Sequence, residues 1–156
     1  HALEGDVDTQ LRLCFCRPIF RGIAPSTDAL APCLRDRITH YLDIFRKQIR
    51  PVMRDGLVFH HTPFLSHQEI TPWCVLEYAS PDRTRAVAAV FRTSAEGTGE
   101  YLFRPRGLDL STTYRVVLDN RNQSFRATGR DLVTDGVRLQ IDRALASELI
   151  VCEAVR

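Results

Sequence analysis

The sequence predicts a mainly β protein, an antiparallel β-sandwich of about eight strands with Greek-key-like connections, preceded by one long amphipathic α-helix. Two rhythms carry this expectation. Apolar residues recur at helical spacing up to Met53, and after Gly56 the pattern switches to alternation in short runs bounded by Gly, Asn and Asp. The later runs have no helical pattern between them, which favours a sandwich over a parallel sheet with crossovers.

The first region holds a short apolar run, Leu11 to Phe15, then a Pro- and Gly-containing loop to Ser26. Ile38, Tyr41, Leu42, Phe45, Ile49 and Val52 then fall on one face of a helix. Arg35, Asp36, Asp43, Arg46, Lys47 and Arg50 take the other face, with Asp43 and Lys47 one turn apart in the supportive order. The helix is expected from Asp28 or Pro32 to Met53. Ser26, Thr27 and Asp28 are candidate caps, Pro51 weakens the end, and Gly56 closes it.

In the second region Val137, Leu139 and Ile141 alternate with Arg138, Gln140 and Asp142, the signature of a half-buried strand. Tyr114 to Leu118 reads the same way, whereas Trp73 to Tyr78 and Ala86 to Phe91 are more continuously apolar, as central strands are. Ser80-Pro81-Asp82-Arg83 between them is a turn, because Pro sets φ and Asp accepts from the nearby backbone. Glu100 to Phe103, Ser124 to Ala127, Asp131 to Val133 and Glu148 to Glu153 complete the strands, and Asp135-Gly136 reads as a hairpin turn. His61 to Pro72 is the longest irregular stretch. Residues 1–55 thus form an N-terminal segment with the helix, and residues 56–156 the sandwich.

Charge narrows the partners. The formal net charge is +2, and Lys47 is the only lysine among the 21 basic residues. Acidic residues nearly balance the arginines along the chain, so no basic stripe of a nucleic-acid binder appears. No apolar run approaches the length of a membrane span. The chain opens with no signal-peptide pattern, and His1 in place of Met suggests either a tag remnant or an internal boundary of a longer protein. Cys14, Cys16, Cys33, Cys74 and Cys152 are odd in number and form no C-x-x-C pair, so a reducing, cytoplasmic compartment is expected, with Cys74 and Cys152 packed as small hydrophobes.

Candidate site residues are few. Asp109, Asp119, Asp131, Asp135 and Asp142 sit beside turns, where aspartate satisfies local backbone groups. Glu77 and Glu153 lie in apolar strands, and the outward orientation is favoured for both. His60 and His61 are adjacent at a strand end, so they point to opposite faces and cannot easily share a metal ion with each other. No catalytic, metal or cofactor site is therefore assigned. The one aromatic set that could serve a weak sugar site is Trp73 with Tyr78 or Tyr101.

Phe103-Arg104-Pro105-Arg106-Gly107-Leu108-Asp109, followed by Tyr114-Arg115-Val116, resembles a stretch of the C-terminal domain of melibiase-type α-galactosidases, glycoside hydrolase family 36-like. Trp73 to Tyr78 with Arg85 to Arg92, Gly129 to Leu132 with Asp135 to Val137, and Leu145 to Ile150 resemble the same domain in the same order. Tyr41 to Arg50 is similar to the last helix before it. The resemblance implies a parent enzyme whose (β/α)8 barrel performs retaining hydrolysis with two carboxyls about 5 Å apart, both upstream of this chain. Leu11 to Phe15 and the helix would be the last strand and helix of that barrel. It implies a non-catalytic domain that packs against the barrel and stabilises it or an oligomer, with the helix stripe as a possible self-association face. The rival reading is a carbohydrate-binding module with its own weak site; a stand-alone hydrolase is the third.

Overall fold

The computed structural model describes residues 32–62 and 71–155. The expected strand at Leu11 to Phe15, the caps at Ser26 to Asp28 and most of the loop after His61 lie outside the described residues.

Helix α1 spans Pro32–Ile44, passes through a π-helical turn at Phe45–Ile49 and continues as α2, Arg50–Asp55. Proline explains the irregularity. Pro51 has no N–H to give to the Lys47 carbonyl one turn back, and its ring crowds that oxygen. The Arg50 N–H reaches instead to the carbonyl of Phe45, five residues earlier. The Lys47 carbonyl accepts from the guanidinium of Arg85 at 3.3 Å, so the break in the ladder becomes a tie between helix and sheet.

Eight strands follow: β1 Leu57–His60, β2 Trp73–Ala79, β3 Arg85–Arg92, β4 Glu100–Phe103, β5 Thr113–Leu118, β6 Gln123–Thr128, β7 Val137–Gln140 and β8 Ala146–Ala154. A short helix, α3 at Gly129–Thr134, precedes β7. Six strands form one sheet in the order β1-β2-β3-β8-β5-β6, and β4 pairs with β7 in a second. All neighbours are antiparallel. Strand β8 returns to the side of β5 after the chain has passed through the second sheet, which gives the Greek-key-like connectivity.

Alternation along β3 shows how the layers form. Ala86, Ala88 and Val90 join Val75, Val116, Ile150 and Cys152 on one face, against Phe103, Val137 and Leu139 of the second sheet. Val87, Ala89 and Phe91 join Leu149 and Val151 on the other face, against Ile49 of the helix, with Phe45 and Met53 at its edge. A strand covered on both sides has no need of polar alternation, hence its continuously apolar sequence. The later part of the predicted apolar stripe, Phe45 and Ile49, is therefore spent on the chain's own sheet, whereas Tyr41, Ile38 and Leu42 form a separate cluster. Each Val, Leu, Ile or Phe side chain buried against the sheet contributes about 1.5–3 kcal/mol of transfer free energy.

Three local expectations are corrected. Asp131 to Val133 is helical rather than a strand, because Thr128 and Asp131 form a capping box: the Asp131 N–H donates to Thr128 Oγ1 at 3.2 Å, and the Thr128 N–H to Asp131 Oδ2 at 3.3 Å. Asp135-Gly136 consequently joins that helix to β7 instead of turning a hairpin, with Gly136 at φ +76°. Cys74 is exposed rather than packed. Cys152 is buried as expected, and burial, aided by the Glu77 carboxylate, pushes its thiol up to about 12. The turn at Ser80 forms as read: Asp82 Oδ1 accepts from Ser80 Oγ at 2.6 Å and from the Thr84 N–H at 3.1 Å.

Candidate functional site

Strand β2 presents Trp73 and Tyr78 five residues apart, hence on opposite faces. Trp73 meets Tyr101 with ring centroids 5.2 Å apart, and both are half-buried at the margin of the core. Tyr78 is only 3% exposed. The structure thus brings two of the three aromatic residues together and buries the third.

Arg92 lies beside this pair, its guanidinium carbon 5.8 Å from the Trp73 ring centroid. It is 4% exposed and ends β3 beside a loop with no regular structure. Its Nε donates to the Ser94 carbonyl at 3.0 Å, one terminal nitrogen to Ile141 at 2.7 Å, and the other to Ala95 at 3.0 Å and Gly97 at 3.2 Å. A guanidinium so occupied has little left for an anionic ligand. Its chemistry is to hold the loop that carries Gly97, at φ +72°, and Gly99.

Glu77 is the main residue that the outward reading missed. It is fully buried, on the face of β2 that meets the second sheet. Its Oε2 lies 2.7 Å from His61 Nε2 and accepts from the Arg106 N–H at 2.9 Å, while Oε1 accepts from the Gly107 N–H at 2.9 Å. A carboxylate can be buried when hydrogen-bond donors replace its water, and here two backbone amides and an imidazole do so. The Arg106 side chain returns to the carbonyl of His60 at 3.3 Å. Gly107 is required by packing: a Cβ there would sit 2.1 Å from that of Ala79. The motif that carries the family resemblance, Phe103 to Asp109, is therefore clamped to the sheet by one carboxylate. The usable signal was Glu77 standing in step with Val75 and Ala79.

The rest of the motif is also structural. The Asp109 N–H donates to the Tyr114 hydroxyl at 2.9 Å, and that hydroxyl donates to the Arg83 carbonyl at 2.6 Å. Asp109 Oδ1 accepts from the Ser111 hydroxyl and N–H, which hold its carboxyl below the usual carboxylate range. Glu148, also buried, accepts from the Asn120 N–H at 2.7 Å and fixes the turn after β5. Glu153 is partly exposed, 3.8 Å from Arg85, in keeping with its outward reading.

A shallow groove of about 450 Å³ lies along the second sheet, lined among others by Glu100, Tyr101, Arg121, Arg138 and Gln140. Its charges are mixed. No cluster of three or more His, Cys, Asp or Glu side chains able to hold a metal ion occurs among the described residues. His60 is exposed and His61 is buried against Glu77.

Among the described residues the layers and the loop clamps define a sandwich domain whose buried polar groups hold its own loops rather than line an open pocket. The family model for the glycosyl hydrolase family 36 C-terminal domain matches residues 73–151, and the chain belongs to that family. A search of curated protein sequences returned no match. Among solved structures, the chain is similar to the α-galactosidase of Lactobacillus brevis, with TM-score 0.64, 16% identity, 83% of this chain and 18% of that chain covered. It is also similar to the galactosidase domain of the α-galactosidase-sucrose kinase AgaSK, with TM-score 0.62, 16% identity, and 82% and 17% covered. A third is the AgaA α-galactosidase of Geobacillus stearothermophilus in complex with raffinose, with TM-score 0.58, 23% identity, and 83% and 17% covered. At these identities the likeness establishes the fold. The chain spans under a fifth of the length of those structures.

Proposed function

We propose that this chain is the non-catalytic C-terminal domain of an α-galactosidase-type glycoside hydrolase, packing against a catalytic (β/α)8 barrel and stabilising it. The observation that carries this reading is that the two fully buried carboxylates among the described residues, Glu77 and Glu148, are used as acceptors for backbone N–H groups of neighbouring loops. Retaining hydrolysis needs two carboxyls free to reach a glycosidic oxygen and an anomeric carbon. Residues 1–55 are the end of the barrel in this reading, and residues 56–156 the accessory sandwich. Cys74 and Cys152 are free thiols, which supports a reducing compartment such as the cytoplasm. No described helix is long and apolar enough to cross a membrane. The remaining part-exposed stripe residues, Ile38 and Leu42, are the surface offered to the barrel or to a second copy.

The aromatic pair supports a second reading, a weak sugar site at Trp73 and Tyr101, with Tyr78 removed from it by burial. A turnover assay and a titration separate the readings. Incubation with 4-nitrophenyl α-galactoside should give no turnover above buffer, and galactosides and α-linked oligosaccharides should leave Trp73 fluorescence unchanged. Turnover by this chain alone would overturn the proposal; saturable quenching lost in Trp73→Ala would favour the sugar site.

A further inference from the structure

One corner of the six-stranded sheet is left bare by the helix. The helix crosses the sheet diagonally: His40 Nε2 lies 2.8 Å from Asp119 Oδ1 just beyond the end of β5, and Gly56 sits against the Ala79 carbonyl at the end of β2. The start of β5 and the end of β6 lie away from that line, and Thr113, Arg115 and Arg126 are exposed there.

Register sets a row of charges across four strands on this face. Arg85 pairs with Glu153, Glu153 with Arg115, and Arg115 with Arg126. Glu153 leans to Arg85, 3.8 Å away. Arg115 and Arg126 face each other directly, and neither has an ion pair or hydrogen bond among the described residues. Like charges opposed in a sheet cost stability, so an isolated sandwich carries an electrostatic penalty at this spot. Two exposed arginines at facing register positions also offer carboxylates guanidinium groups, which bind them in the plane through paired N–H groups.

We propose that this corner docks a carboxylate-rich protein segment of the larger hydrolase, with Arg115 and Arg126 as its principal contacts. The inference rests on the accessory-domain reading and names the chemistry of one contact. Strands β5 and β6 are neighbours about 5 Å apart, a span that one or two carboxylates of an acidic segment cover. The net charge of +2 supplies no broad basic field of the kind that holds nucleic acid.

The test is titration of a hexaglutamate peptide into the ¹⁵N-labelled chain, following arginine Nε–Hε resonances. Arg115 and Arg126 should shift first, and Arg126→Glu should weaken binding about fivefold. The same substitution should raise the Tm of the unbound chain by about 2 °C, because it turns an opposed pair into an attractive one. Shifts spread evenly over exposed arginines such as Arg54 and Arg138, or a lower Tm for Arg126→Glu, would overturn the proposal. The galactoside assay above fails or succeeds independently, so the two readings are tested apart.

Discussion

Replacing Glu77 with alanine should lower the unfolding free energy by about 3–5 kcal/mol, the usual cost of breaking a buried charged cluster from one side. The loss comes from what is left behind. The N–H groups of Arg106 and Gly107 and the His61 imidazole would remain at a dry site without their acceptor. Domains of this size are stable by only about 5–15 kcal/mol, so the variant would be close to its unfolding limit at 37 °C. Urea unfolding measures the loss. Hydrogen exchange locates it: the Arg106 and Gly107 amides should be protected in the parent and fast in the variant, ahead of the β3 amides. Glu77→Gln keeps one acceptor oxygen but sets an N–H against the second backbone donor, so it should fall between the two. A Glu77→Ala protein as stable as the parent would mean that the clamp is not what holds the Phe103 to Asp109 loop.

Arg92→Met is expected to cost about 3 kcal/mol. Methionine fills much of the same volume, so the cost reports the hydrogen bonds rather than a cavity. Four carbonyls, at Ser94, Ala95, Gly97 and Ile141, would lose their donor together. The first three can turn toward water if the loop opens, which limits the cost. Ile141 belongs to the core and cannot easily follow. Trp73 is the only tryptophan and lies against the same guanidinium, so its emission reports the site without labelling. A red shift before global unfolding is expected in Arg92→Met and absent in the parent. Arg92→Lys should recover little, because one ammonium cannot serve four dispersed acceptors.

Regular structure was the legible part of this sequence. The helix face from Ile38 to Val52 and the strand alternation from Val137 to Gln140 are local periodicities, and both are present. Boundaries set by proline and glycine were legible as well, since Pro51 and Gly56 act on their immediate neighbours. Helix α3 was misread because Leu132 and Val133 resemble a strand, while the Thr128–Asp131 capping signal three residues apart outweighs them. Glu77 was illegible for a different reason. Its partners lie sixteen residues back at His61 and 29 and 30 residues on at Arg106 and Gly107, and no local pattern announces a pairing across a fold. The separation of Tyr78 from Trp73 was readable all along, because an odd spacing in a strand places two side chains on opposite faces. Gly107 carries the same lesson from the backbone side: its place in the motif is visible, but the Ala79 methyl that forbids a larger residue is visible only in three dimensions.

The most direct test of a supporting, non-catalytic role is removal of the region equivalent to residues 56–156 from the proposed parent hydrolase. A domain that covers and braces the barrel predicts a Tm lower by about 10 °C or more, with loss of soluble yield, and unchanged KM for galactosides in whatever fraction stays folded. A truncated enzyme with the parent's Tm and a KM raised severalfold would contradict that role and place substrate binding in the sandwich.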